Sequence, residues 1–169
     1  MKSLVLSGLL ACAALPAWPQ SASALAGALP PSVSVDGKTV EGQPFRLSAL
    51  KGKVVLVMFW STGCAVCRDK MPELRQNYEG WAGKPFEMVL VSTDRKVGDL
   101  QDYEKIISRM VPLKQRFVQL WAGETGYRDS VGTPLQLPLT FLVDKGGKVV
   151  ERYTGRIPAE AWDRIADLL

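Results

Sequence analysis

The chain has 169 residues, 47% of them hydrophobic and 22% charged, with a formal net charge of +4 and no histidine. That balance suits one ordinary globular domain able to bury a core without extra staples. The basic residues (among them Lys51, Lys53, Arg95, Lys96, Lys114, Arg116, Lys145 and Lys148) are scattered with no aromatic platform between them, which argues for a solvated surface and against a nucleic-acid partner.

The chain opens with Met1-Lys2, a nearly continuous apolar run from Ser3 to Leu15, and small residues at Ala22-Ser23-Ala24 and Ala24-Leu25-Ala26. Residues 1–26 therefore read as a secretory signal peptide, cleaved after Ala24 or Ala26. The apolar run breaks at Pro16, short of the roughly 20 residues a membrane span needs, so membrane association is expected to be at most peripheral. Leu9-Leu10-Ala11-Cys12 offers a competing lipoprotein reading, with a lipid on Cys12, disfavoured by the little apolar sequence ahead of it. Ordinary cleavage removes Cys12 and leaves Cys64 and Cys67 as the only thiols of an exported chain, in a compartment where disulfides persist.

Residues 27–32 read as a linker and 33–169 as the domain. Val33 to Val35 and Thr39-Val40 flank Asp36-Gly37, which predicts an N-terminal β-hairpin turning at that dipeptide. Val54 to Trp60 is apolar without alternation, as in a strand covered on both faces. Met71, Leu74 and Tyr78 then recur at helical spacing, with Pro72 expected to kink the helix and Gly80 to Pro85 to end it. Phe86 to Ser92 is a second buried run, which makes a parallel strand-helix-strand crossover. Leu100, Tyr103, Ile106, Ile107 and Met110 predict an amphipathic helix ending before Pro112, and Phe117 to Trp121 a short strand. Gly123 to Gly132 reads as a connection. Leu139 to Val143 and Lys148 to Thr154 form a hairpin about Asp144-Lys145-Gly146-Gly147, and Ala161, Trp162, Ile165, Leu168 and Leu169 mark a last helix.

The chemistry sits at Cys64-Ala65-Val66-Cys67, where the first central strand gives way to a helix. A thiolate there gains from the free N–H groups and partial positive charge of the helix start, and a second Cys one turn on can hydrogen-bond to it or close a disulfide. The same spacing can hold a metal, but two thiolates are half a tetrahedral site and nothing else in the chain completes one. No metal and no cofactor is expected. Arg68 in place of His after Cys67 excludes haem attachment. Cys64, at the exposed helix start, should attack a substrate disulfide, and Cys67, a turn deeper, should resolve the mixed disulfide.

Phe59-Trp60-Ser61-Thr62-Gly63-Cys64-Ala65-Val66-Cys67-Arg68, Met71-Pro72-Glu73-Leu74, and Leu137-Pro138-Leu139-Thr140-Phe141-Leu142-Val143-Asp144, with the lead-in Phe45 to Lys53, resemble the exported thioredoxin-like proteins of the TlpA/ResA type (AhpC/TSA-redoxin-like) from about Val33 to the end. The resemblance implies an α/β thioredoxin-like fold with a central mixed sheet flanked by helices, an active-site disulfide between Cys64 and Cys67, and a periplasmic setting. By the same resemblance Pro138 is the proline that is cis beside the CxxC, where Leu137 presents its backbone to an extended substrate and Trp60 flanks the site. Trp60 can equally be core, and Pro138 can simply open a strand.

Four departures from the family pattern stand out: Gly63 before the first Cys, Val66 before the second, Met58 where thioredoxins bury a carboxylate, and Lys70 where a glutamate is common. A cation at Lys70 in place of an anion would lower the Cys64 pKa and make the dithiol more oxidising. The expected function is a periplasmic thiol-disulfide oxidoreductase acting on protein substrates, with electrons from a membrane dithiol partner and a role in maturing cytochrome c or another cofactor protein. The alternative is a binding or assembly factor, including a metallochaperone-like one, with a redox-idle CxxC.

Overall fold

The computed structural model describes residues 29–169; the expected signal segment, with Cys12 and the first two linker residues, lies outside them. Five strands form the main sheet: β3 (Val54–Trp60), β4 (Phe86–Ser92), β5 (Val118–Trp121), β7 (Leu139–Val143) and β8 (Val149–Thr154). Their order is β5-β4-β3-β7-β8, with β3 and β4 parallel and β3 and β7 antiparallel, so the sheet is mixed and β3 lies at its centre. A smaller sheet, β2-β1-β6, joins β1 (Val35–Lys38), β2 (Pro44–Arg46) and the two-residue β6 (Arg128–Asp129).

All seven residues of β3 are buried. Val54, Leu56, Met58 and Trp60 belong to one hydrophobic cluster, whereas Val55, Val57 and Phe59 belong to another, which is why the run does not alternate with polar residues. Among the described residues the three α-helices are α1 (Ala65–Gly80), α2 (Val97–Met110) and α3 (Glu160–Leu168). They feed the first cluster through Cys67, Met71 and Leu74 of α1, Leu100 of α2, and Ala161 and Ile165 of α3. The second cluster takes Val35 from β1 and Leu47 from a short 3-10 turn. Each fully buried aliphatic or aromatic side chain stabilises by about 1.5–3 kcal/mol, so these two clusters hold the CxxC end of β3 in place. No helix among the described residues is long and apolar enough to cross a membrane.

Three expectations need correction. Asp36-Gly37 lies inside β1, and the hairpin turns instead at residues 39–43, closed by Thr39 N–H to the Gln43 carbonyl at 2.9 Å with Gly42 at φ 82°. Gly37 serves close packing: a Cβ there would lie 3.3 Å from the Tyr127 ring. Helix α2 has the expected span but buries only Leu100, with Ile106 56% and Met110 76% exposed. The connection after Gly123 contains β6, which pairs Val35 with Asp129. Helix α1, by contrast, includes Pro72 and ends at Gly80, within the span where its end was expected.

Candidate active site

Strand β3 delivers the site. Its last residue, Trp60, pairs with Ser92 at the end of β4, and the loop at Ser61-Thr62-Gly63 then carries the chain into α1. Cys64 is the N-cap of α1, and its sulfur accepts from the Cys67 backbone N–H at 3.1 Å. Cys64 is partly exposed and Cys67 fully buried. The two are joined as a disulfide, with Cα atoms 5.2 Å apart. One sulfur is thus reachable from solvent and the other lies beneath it against Met71 and Leu74 of the same cluster.

The opposite wall comes from β7. Phe59 is opposite Leu139, so the antiparallel register carries Leu137-Pro138 to the same end of the sheet as the CxxC loop. The Leu137–Pro138 bond is cis and Pro138 is buried, its carbonyl accepting from Gly155 N–H at 2.8 Å. Leu137 is half-buried and borders both hydrophobic clusters. Val66, between the cysteines, is 41% exposed and supplies apolar surface beside the sulfurs, whereas Leu135, two residues before Leu137, is fully exposed and borders a separate cavity with Val33, Val131 and Phe141.

A polar network that sequence reasoning missed secures the loop. Asp94, two residues past β4, accepts from the Thr62 backbone N–H at 3.0 and 3.1 Å, from Thr62 Oγ1 at 2.8 Å and from Ser92 Oγ at 2.7 Å. Trp121 Nε1 donates to the Asp94 carbonyl at 2.7 Å, and Thr93 N–H to the Trp60 carbonyl at 2.8 Å. The available signal was position alone: Ser92-Thr93-Asp94 follows a buried parallel strand at its carboxyl end, where α/β sheets build their sites.

Two expected site residues take different places. Trp60 is 0% exposed, its ring 5.0 Å from that of Tyr103, so it forms the buried base of the loop and offers no surface to a macromolecular substrate. Lys70 is 6% exposed, neither a solvated surface residue nor a free cation: Nζ donates to Glu73 at 2.7 Å. Glu73 also accepts from Trp162 Nε1 of α3 at 2.6 Å. Desolvation opposes ionisation of Glu73, but the hydrogen bonds from Lys70 and Trp162 and the charges of Lys70 and Arg156 outweigh it and hold its carboxyl below the usual range. The unopposed positive charge expected near the sulfurs is therefore matched by a carboxylate one turn on.

A mixed sheet presenting a CxxC at a helix N-terminus opposite a cis-proline defines a thioredoxin-like protein. The model of the AhpC/TSA family matches residues 27–162, and the chain belongs to that family. Among curated proteins it is similar to the thiol-disulfide oxidoreductase ResA of Bacillus thuringiensis (strain Al Hakam), 32% identical over 116 residues, covering 69% of this chain and 63% of the relative. ResA of Bacillus subtilis (strain 168) is 28% identical over 114 residues, covering 68% and 60%. The chain thus spans less than two thirds of the length of these relatives. Among solved structures, a thioredoxin-family thiol:disulfide interchange protein from Chlorobium tepidum TLS superposes with a TM-score of 0.64 at 25% identity, covering 81% of this chain and 93% of that one. These likenesses bear out the thioredoxin-like α/β fold and place the chain with the TlpA/ResA-type members of the thioredoxin superfamily.

Proposed function

We propose that the chain is a thiol-disulfide oxidoreductase acting on protein substrates, exported to the periplasm as residues 1–26 suggest. The observation that carries this reading is the Cys64–Cys67 disulfide, with Cys64 at the partly exposed N-cap of α1 and Cys67 fully buried. In the reduced form the Cys64 thiolate gains from the helix N-terminus and attacks a substrate disulfide. A Cys64–substrate bond forms as the substrate S–S bond breaks and one substrate thiolate leaves. The Cys67 thiolate then attacks Cys64 Sγ, closing the Cys64–Cys67 disulfide and releasing the second substrate thiolate, so two electrons pass to the substrate. A membrane dithiol partner then reduces the Cys64–Cys67 disulfide again by the same exchange, supplying two electrons as its own dithiol closes to a disulfide.

Substrate placement follows from the opposite wall. Leu137 has no backbone hydrogen bond among those of the described residues, so an extended segment can pair with it as an added strand, with Val66 packing a neighbouring side chain. A role in maturing cytochrome c or another cofactor protein rests on kinship with ResA-type proteins. The test is reduction of insulin by dithiothreitol with and without the domain. The wild type should accelerate it and Cys64→Ser should leave only the background rate. Equal, background rates for both would favour a binding or assembly factor with an idle CxxC.

A further inference from the structure

A cavity of about 510 Å³ opens beside the redox loop but on the other side of Trp60, between α1, α2 and the β4–β5 edge of the sheet. Its size is that of a small-molecule site, which in proteins generally runs to roughly 300–1,000 Å³. Trp60, Tyr103, Phe117 and Trp121 supply aromatic walls over a floor of Met71, Leu90 and Leu100. Gly123 lets the Trp121 indole lie flat beneath the chain, since a Cβ there would come within 2.3 Å of that ring.

Four residues that border the cavity each carry a buried polar atom that the protein leaves without a partner: Trp60 Nε1, Arg75 Nε, Gln119 Oε1 and Glu124 Oε2. Arg75 is the sharpest case. It is 9% exposed, its guanidinium lies 5.3 Å from the centre of the Phe117 ring, and Nη2 donates to Tyr103 Oη at 3.2 Å. Among the described residues it takes part in no ion pair. A buried, unpaired guanidinium costs several kcal/mol, so such groups are normally paired or bind an anion. The carboxylate that interacts with Arg75 is Glu104: burial and Glu41 hold its carboxyl above the ordinary range while the charges of Arg75 and Arg116 pull it down, and it accepts from Gln119 Nε2 at 3.2 Å without closing an ion pair on Arg75. Around the whole cavity the cations Lys38, Arg75, Lys105 and Arg116 outnumber the carboxylates Glu41, Glu104 and Glu124.

We infer that this cavity binds a small monocarboxylate with an aromatic or otherwise flat apolar body, its carboxylate on the Arg75 guanidinium and its body among Trp60, Tyr103, Phe117 and Trp121. A guanidinium offers a carboxylate two parallel N–H donors, and flat rings suit aromatic walls. The site is separate from the sulfurs, yet it shares Trp60 with the base of the CxxC loop and Trp121 with the Asp94 network.

The test is a ¹H–¹⁵N NMR titration of the folded domain with three compounds sharing one body: indole-3-acetate, tryptophol and tryptamine. Indole-3-acetate should saturably shift the Trp60 and Trp121 indole N–H signals and the amides of Leu100 and Gln119, and tryptamine should not. Arg75→Met should weaken the acid at least about tenfold, the equivalent of about 1.4 kcal/mol, while insulin reduction stays unchanged. Ser108→Trp, an exposed position on the cavity rim, should block the acid without touching Arg75, and it decides the matter if Arg75→Met does not fold. Absence of saturable shifts at these signals, equal response to all three compounds, or binding of the acid that survives in the folded variants would overturn the inference.

Discussion

Two polar networks hold the CxxC helix, one on each side of the cysteines, and they work differently. The Asp94 network lies before Cys64 and grips the backbone, through Thr62 N–H, two residues ahead of the first sulfur. The Lys70–Glu73–Trp162 network lies after Cys67 and joins side chains only, tying α1 to α3. A carboxylate bound to backbone sets where the loop runs. One bound to side chains sets how well two helices pack and where charge sits. The first should therefore govern both stability and exchange rate, and the second mainly stability.

Asp94→Ala is expected to have the largest effect. It leaves the Thr62 N–H without its acceptor and removes the charged partner of two hydroxyls, which should cost about 3 kcal/mol in denaturant unfolding. Insulin reduction should slow by at least about tenfold as the loop loses its setting. An Asp94→Ala protein of unchanged activity would break the comparison. Gly123→Ala reaches the same network from further away: the added Cβ must displace the Trp121 indole, 2.3 Å from it, and with it the bond to the Asp94 carbonyl. About 1–3 kcal/mol should be lost, and activity should fall less than in Asp94→Ala.

The second network should give the smallest effects. Glu73→Gln leaves the buried Lys70 cation without its countercharge, but Glu73 is itself 42% exposed and water screens the pair, so about 1 kcal/mol is expected. Lys70→Met removes the charge together with its desolvation cost and should stay within about 1 kcal/mol of wild type. Neither should change the exchange rate more than about twofold. Because the folded protein holds the Glu73 carboxyl below its ordinary value of 4.5, its contribution is present above that pH and is lost as the pH falls through the lowered value. The stability gap between wild type and Glu73→Gln should therefore close on acidification, as thermal unfolding across pH would read.

The same contrast explains what the sequence made legible. Val54–Trp60, Phe86–Ser92 and Leu139–Val143 could be read to the residue because strands covered on both faces are apolar over most of their length, with only Glu87, Ser92 and Thr140 polar among these three. The CxxC was legible because its chemistry is local, two thiols one turn apart at a helix start. Asp94 was not, because its partners Thr62 and Trp121 lie 32 and 27 residues away and a lone Asp after a strand has no pattern. Gly37 misled because a dipeptide that favours turns also permits a close approach, here to Tyr127, and only tertiary packing distinguishes the two. Lys70 misled in its turn because a charge read without its neighbour has no sign in the balance. Glu73 stood three residues on, at the spacing that places side chains on one helix face.

The central claim is that one sulfur is ionised and within reach while the other waits beneath it. It is tested most directly by timed iodoacetamide alkylation of the fully reduced, folded domain at neutral pH, with each cysteine followed by peptide mass. Cys64 should be modified at least about tenfold faster than Cys67, as its place at the helix N-cap and the complete burial of Cys67 require. Modification of Cys67 first, or no reaction at either sulfur until the protein unfolds, would contradict the account.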